Sequence, residues 1–320
     1  MTTAFVTGIT GQDGFYLVER LLATGTTVHG LVLGRDPATD DLEAAYPQVI
    51  LHRGDLRDGP GLAELVRSVI PDEVYHLGGI SSVAQSWADP LLTYEVTGAS
   101  AAHLLEACWQ LQHGGHSIRF LQASSGEIFG DAPAPQSETT AIRPRSPYGA
   151  AKAFAHHLVG VYRSRGLFAV GLILYNHESP RRPTTFVTRK ITRTVAGIAS
   201  GSQRELVLGN TDAARDWGWA PDYVEAMVRA LRHVDPHDFV IATGELHTVR
   251  DLVEAAFRSV GIADWERYLK IDQDLIRPGD PATLVGDASF ARSELGWVPT
   301  VGFGEIVRRM VESDLQQTSR

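Results

Sequence analysis

Residues 3–23 read TAFVTGITGQDGFYLVERLLA. Residues 3–6 are a short β-branched and aromatic run that goes straight into glycine. Residues 12–23 place Leu17, Val18, Leu21 and Leu22 at helical spacing. Between the two stand Gly8, Gly11 and Gly14. A strand that turns on glycines into a helix brings the helix N-terminus, with its unpaired amides, against whatever lies beyond the strand. That arrangement suits a pyrophosphate. The stretch therefore predicts a strand, a phosphate-binding turn and a helix at the head of a dinucleotide-binding sheet.

Working outward, the alternation repeats. Apolar runs at residues 27–33, 49–51, 73–77, 118–123, 168–174 and 239–242 read as strands, with helices at 61–69, 91–111 and 147–165. This pattern implies an α/β fold, a doubly wound parallel sheet of the Rossmann type. After Tyr175 the rhythm changes. Residues 176–210 are arginine-rich around one helical stretch at 188–200, and the tail carries helices at 249–260 and 303–314. The expected organisation is a dinucleotide-binding domain from residues 1–175 and 211–245, with a smaller C-terminal substrate-binding lobe from 176–210 and 246–320.

The chain has 320 residues, 43% hydrophobic and 21% charged, with a formal net charge of −9. Such a composition is globular and excludes disordered and fibrous classes. The acidic balance argues against nucleic-acid and anionic-membrane partners, which need a basic face. The single cysteine, Cys108, cannot form an internal disulfide. It shares a helical stretch with Leu104 and Leu105, which reads as core. No apolar run approaches the ~18 residues of a membrane span, and the opening MTTAFVTGITGQDG has no basic leader. A cytoplasmic location is expected.

The chemistry-bearing residues fall where strands end. Tyr148 and Lys152, four apart, lie on one helix face. The spacing predicts an ammonium that lowers the phenol's pKa from about 10, so that Tyr148 can take a hydroxyl proton while hydride leaves the same carbon. Ser125-Gly126-Glu127 follows a strand at the sheet's carboxyl edge. There Ser125 can hydrogen-bond a substrate oxygen, and Glu127 adds a carboxylate suited to taking a proton from carbon next to a new ketone. At the end of the second strand, Arg35 is the basic group that could take a 2′-phosphate, and Asp36 keeps NAD open. Asp55-Leu56 fits an adenine contact. Arg181, Arg182, Arg189, Lys190, Arg215 and Arg277 are cations from separate segments that could serve a nucleotide diphosphate. His113, His116, His156 and His157 lack a carboxylate or cysteine at ligand spacing, so no metal is expected.

The motifs TGITGQDG, DEVYHLGG, QASSGEIFG, RPRSPYGAAK, YNHESPRR, FVTRKI, RDWGWAPDYVEAM, GELHTVRDLVEAAF and GDASFARSELGW resemble the GDP-mannose 4,6-dehydratase family over nearly the whole chain. This family is a branch of the extended short-chain dehydrogenase/reductases. The resemblance implies Ser125 in the place of the family's threonine, Glu127 as acid/base, and Tyr148 with Lys152 as the redox pair. It implies Gly8, Thr10, Gly11, Gln12, Asp13, Arg35, Asp55 and Arg182 as cofactor contacts, with Asn176, Lys190, Arg215 and Arg277 on the substrate nucleotide. Gly14, Leu56 and Leu77 join the expected cofactor set, as do Tyr148 and Lys152, and Ser82 and Glu127 the substrate set.

The implied reaction converts a GDP-hexose to a GDP-4-keto-6-deoxy sugar through transient C4 oxidation by bound NADP, with NAD as the alternative. Two other enzyme readings remain: a dehydratase of another GDP-sugar such as a GDP-heptose, and an epimerase or 4-keto reductase. A silent NAD(P)-binding regulator is the reading from a different class; it leaves the Ser125, Glu127, Tyr148 and Lys152 set unexplained. The chain departs from the family in having a short loop before its third strand and one basic residue, Arg35, after its second. The departure predicts a modest NADP preference that Arg35→Ala erases, and a homodimer rather than a tetramer, paired through the helices at 91–111 and 147–165.

Overall fold

The computed structural model describes residues 2–275 and 283–318. Its central sheet contains β1 (Thr3–Thr7), β2 (Thr27–Val32), β3 (Ile50–Arg53), β4 (Glu73–His76), β5 (Arg119–Ser125), β6 (Phe168–Leu174) and β7 (Asp238–Ile241). Their order is β7-β6-β5-β4-β1-β2-β3, and every pairing is parallel. The winding reverses between β1 and β4, which opens a crevice at their carboxyl ends, the usual ligand position in such sheets.

Parallel strands covered on both faces need near-continuous apolar runs; AFV and FAVGLIL supply them, while β5 buries Gln122, Ser124 and Ser125 after Phe120 and Leu121. On one face the Gln12–Leu22 and Ala220–Leu231 helices bury Leu17, Val18, Tyr223, Met227 and Leu231 against the sheet. On the other, Gly59–Val69, Ser100–His113 and Pro147–Ser164 bury Leu62, Val66, Leu104, Cys108 and Val159. Cys108 is thus a core thiol, and burial pushes its pKa up.

Several elements differ from the sequence reading, among them the Val83–Ala88 and Ser289–Leu295 helices, which were not expected. The helix expected over 91–111 is composite: Pro90–Thr93, a wider π-helical turn at Tyr94–Ala99, then Ser100–His113. The wide turn sits where Thr97 Oγ1 accepts the Ile80 amide at 2.9 Å and Gly98 packs close to Phe154 and Ala151. These are tertiary contacts that a periodicity count does not contain. Pro37–Ala45 forms an unexpected helix with Leu42 as its buried apolar anchor, started by Asp36 accepting the Thr39 amide at 2.8 Å. The Ala220–Leu231 helix was also not expected, although Tyr223, Val224, Met227 and Leu231 stand at helical spacing.

A second apolar cluster joins the Val187–Ala199, Val249–Ser259 and Phe303–Thr318 helices. There Arg189 is buried in an ion pair with Asp314 and donates to the Pro180 carbonyl at 3.0 Å. Arg189 is therefore committed to holding two helices together and is removed from the expected phosphate-binding group. No helix among the described residues is long and apolar enough to cross a membrane.

Candidate active site

The glycine turn is shaped for close approach. Gly8 has φ 69°, in the left-handed region that favours glycine, and a Cβ there would lie 2.8 Å from the Gly78 nitrogen. A Cβ on Gly14 would lie 2.4 Å from the Gly8 carbonyl oxygen. Gly11 caps the Gln12–Leu22 helix with no side-chain hydrogen bond, so its first-turn amides are left for a ligand. Beside the turn, Leu77 donates its amide to the Thr7 carbonyl at 3.3 Å, and Leu56 packs against Gly78. Backbone that only glycine allows next to an uncapped helix N-terminus fits a dinucleotide's pyrophosphate. Thr10 lies within the same turn.

Gln12 and Asp13 tie this turn to the segment after β6. Gln12 donates to the His177 carbonyl at 3.0 Å and accepts from Ser179 Oγ at 2.8 Å. Asp13 pairs with His177 Nε2 at 2.8 Å. Burial alone would raise the Asp13 carboxyl, but the His177 charge and hydrogen bond hold it below its ordinary value. Burial likewise opposes the His177 charge, and Asp13 overcomes it, raising the imidazole. His177, whose ring stacks on Tyr223 with centroids 4.5 Å apart, carried no assigned role in the sequence reading. Its histidine within YNHESPRR was the only signal.

At the far end of β2 the picture is less simple. Arg35 is exposed and donates to Asp40 at 2.9 Å and Glu43 at 3.3 Å. Asp55 is clamped by Arg57, which reaches Oδ2 at 2.5 Å and also bonds Oδ1 through its amide at 2.9 Å.

The residues expected to be catalytic lie at the carboxyl end of β5 and the start of the Pro147–Ser164 helix. Ser146 caps that helix by accepting the Gly149 amide at 3.0 Å, and Pro147 suits its first turn. Tyr148 then enters the site, with Lys152 one turn on; both are buried. Ser125 accepts the Glu127 amide at 3.2 Å, shaping the turn that presents Glu127. A Cβ on Gly126 would lie 3.1 Å from the Tyr175 ring, and the Tyr175 hydroxyl donates to Gln136 at 2.6 Å. Tyr175 thus packs against the Ser125–Glu127 turn, a contact that the sequence did not reveal.

The expected lowering of the Tyr148 phenol is not what these residues produce. Burial pushes it up to about 12; the Ser125 hydrogen bond opposes this and the Glu127 charge adds to it. Lys152 donates to the Ala123 carbonyl at 2.7 Å, and its ammonium stands 5.9 Å from the Tyr148 ring centroid. Burial pulls Lys152 itself down to about 8. A buried ammonium that points at a carbonyl does not by itself outweigh the desolvation of a phenolate.

On the substrate side, Asn176 opens the short strand Asn176–Glu178, paired parallel with Trp217–Trp219. Arg215 is buried in Ala214–Arg215, flanked by His247–Thr248 and Thr283–Leu284. Asp216 holds that segment by accepting the Thr243 and Gly244 amides at 2.9 and 2.8 Å. Lys190 lies in the first turn of the Val187–Ala199 helix. The Arg182 guanidinium sits 3.7 Å over Phe186 and 3.4 Å from Glu178, and its charge reaches Asp13 and Tyr148. Ser82 caps the Val83–Ala88 helix, accepting the Gln85 amide at 3.2 Å. Arg277 lies outside the described residues.

Residues 5–310 match the family model for GDP-mannose 4,6 dehydratase. The chain is 46% identical to GDP-mannose 4,6 dehydratase 1 of Arabidopsis thaliana, over 99% of this chain and 91% of that protein. It is 43% identical to the human GDP-mannose 4,6 dehydratase, over 98% and 91%. Among solved structures, the Thermus thermophilus UDP-glucose 4-epimerase complex with NAD superposes with TM-score 0.84 at 31% identity, covering 98% of this chain and 99% of that one. RMD from Pseudomonas aeruginosa complexed with NADPH gives TM-score 0.81 at 26% identity, over 99% and 98%. A glycine cradle, a Ser–Glu–Tyr–Lys set and a full-length match agree: the chain belongs to the GDP-mannose 4,6-dehydratase family, on the extended short-chain dehydrogenase/reductase fold.

Proposed function

We propose that this protein converts GDP-mannose to GDP-4-keto-6-deoxymannose with the loss of one water. The observation that carries the reading is Glu127 standing beside Tyr148 and Tyr175, close enough that its charge acts on both phenols. An alcohol oxidation needs no such carboxylate; removal of a proton from carbon does.

When bound, the nicotinamide supplies a hydride acceptor at C4 and returns the hydride to C6, so none is consumed. Tyr148 takes the O4 proton as C4 is oxidised, a bound nicotinamide's positive charge adding to that of Lys152 to favour its phenolate, and Ser125 orients the same oxygen. The ketone acidifies C5–H. Glu127 takes the C5 proton and delivers a proton to the departing C6 hydroxyl, which leaves as water; as C6 is reduced, C5 regains a proton, matching the one that Tyr148 took from O4, and Tyr148 is reset. Gly8, Gly11, Gly14 and the helix N-terminus hold the pyrophosphate of the dinucleotide. Gln12, Asp13, Arg182, Leu56, Leu77 and Lys152 line the rest of its path. Asn176, Lys190 and Arg215 take the substrate's nucleotide. The cofactor is NADP, with NAD as the alternative, and residues 176–210 and 246–320 form the lobe that receives the sugar nucleotide. Incubating the purified protein with a panel of nucleotide sugars tests the reading. Mass spectrometry should find loss of one water from GDP-mannose, and an unchanged GDP-mannose with turnover of another sugar overturns it.

The working form is a cytoplasmic homodimer. Trp87, Leu91, Tyr94 and Phe154 are exposed large apolar side chains on neighbouring helices, and the Tyr94 and Phe154 rings lie 6.0 Å apart. An exposed apolar cluster of this kind marks an interaction surface. Light scattering should give twice the chain mass, and Tyr94→Lys with Phe154→Glu should give monomer; a tetramer, or a dimer surviving both changes, overturns the assignment.

A further inference from the structure

The reading above gives the protein NADP, and sequence places its 2′-phosphate on Arg35. Side-chain geometry places the charge elsewhere. Arg35 is swung onto Asp40 and Glu43, so one guanidinium faces two carboxylates at the start of the Pro37–Ala45 helix. A phosphate arriving there would meet net negative charge, and would have to displace both partners.

Arg53 is the last residue of β3, in register with Val32 at the end of β2, and the Gly54 amide donates to the Val32 carbonyl at 2.9 Å. Its Nη2 lies 3.9 Å from where a side chain on Gly34 would begin, and nothing else comes within 4 Å of that point. The guanidinium therefore lies against the chain just past β2, beside a glycine that leaves the space open. Arg53 is exposed, and its side chain makes no hydrogen bond or ion pair among the described residues. Two residues further on come Asp55 and Leu56, and Leu56 packs on Gly78 beside the Gly8 turn. The nearby Arg57 is spent on Asp55. In parallel α/β sheets the adenosine ribose sits at the carboxyl end of the second strand. Arg53 is the cation at that end with both faces of its fork uncommitted.

We propose that Arg53, rather than Arg35, selects the adenosine 2′-phosphate of the cofactor. The inference rests on the NADP reading. Equilibrium binding to the purified protein tests it without turnover, using adenosine 2′,5′-bisphosphate and 5′-AMP as probes. Wild type should prefer the bisphosphate. Arg53→Gln should weaken the bisphosphate about 10–100-fold, the loss of a charge-assisted pair, and leave 5′-AMP within about twofold. Arg35→Gln should leave both near wild type. A preference that survives Arg53→Gln overturns the proposal while the NADP reading stands. A wild type that binds the two probes equally overturns the NADP reading itself, and the proposal with it.

Discussion

Tyr148→Phe should lower dehydration about 10⁴-fold, the upper end of what a positioned acid or base contributes. The first chemical step requires a proton to leave O4 as hydride leaves C4, and among the groups gathered here Tyr148 is the one placed to take it. The substitution is mild for the fold. The phenylalanine ring fills the same buried space, and Ser125 keeps the Glu127 amide as a partner. Loss of rate without loss of melting temperature is therefore the expected pattern. Rapid mixing of the variant with cofactor and GDP-mannose should show no rise in reduced-nicotinamide absorbance. A normal burst would mean that another group takes the proton.

Glu127→Gln should lower dehydration about 10²–10⁴-fold with a different signature. Its role begins after C4 is oxidised, so reduced nicotinamide should form in a burst and persist, while the 4-keto-6-deoxy product fails to appear. Glutamine keeps the side chain's size and hydrogen-bonding reach, so substrate binding should change little. Near-normal turnover in this variant would overturn the acid/base assignment. The two variants thus separate the steps: one stops before the absorbance rises, the other after.

The sheet was readable because buried parallel strands favour apolar runs, which β1 and β6 show outright, while β3, exposed or half-buried throughout, was readable only as a short apolar run in the βα alternation. The Tyr148–Lys152 pair was readable because a four-residue helical spacing survives any tertiary context. What was not readable depends on contacts across the chain. The π-helical turn at Tyr94–Ala99 arises where Thr97 meets Ile80, 17 residues away. Arg35 and Arg189 stood among the expected phosphate-binding cations, and Arg53 carried no role in the sequence reading. Their roles diverge because Asp40, Glu43 and Asp314 happen to be where they are. The Tyr148 phenol shows the same limit, since spacing locates an ammonium near it but says nothing of the desolvation both groups suffer.

The Arg189–Asp314 pair has a consequence for how the chain is made. Its two halves are 125 residues apart, and Asp314 lies in the Phe303–Thr318 helix. While the chain emerges from the ribosome the N-terminal sheet can form early, but the helix that carries Lys190 holds a guanidinium awaiting its counter-charge until the Phe303–Thr318 helix has been made. A nascent or prematurely stopped chain lacking Asp314 would bury that charge alone, at a cost of about 3–5 kcal/mol. Docking of the Phe303–Thr318 helix onto the Val187–Ala199 helix is thereby tied to one charge pair, so a product cut before Asp314 would keep the sheet and its glycine turn while those two helices lose the contact that joins them.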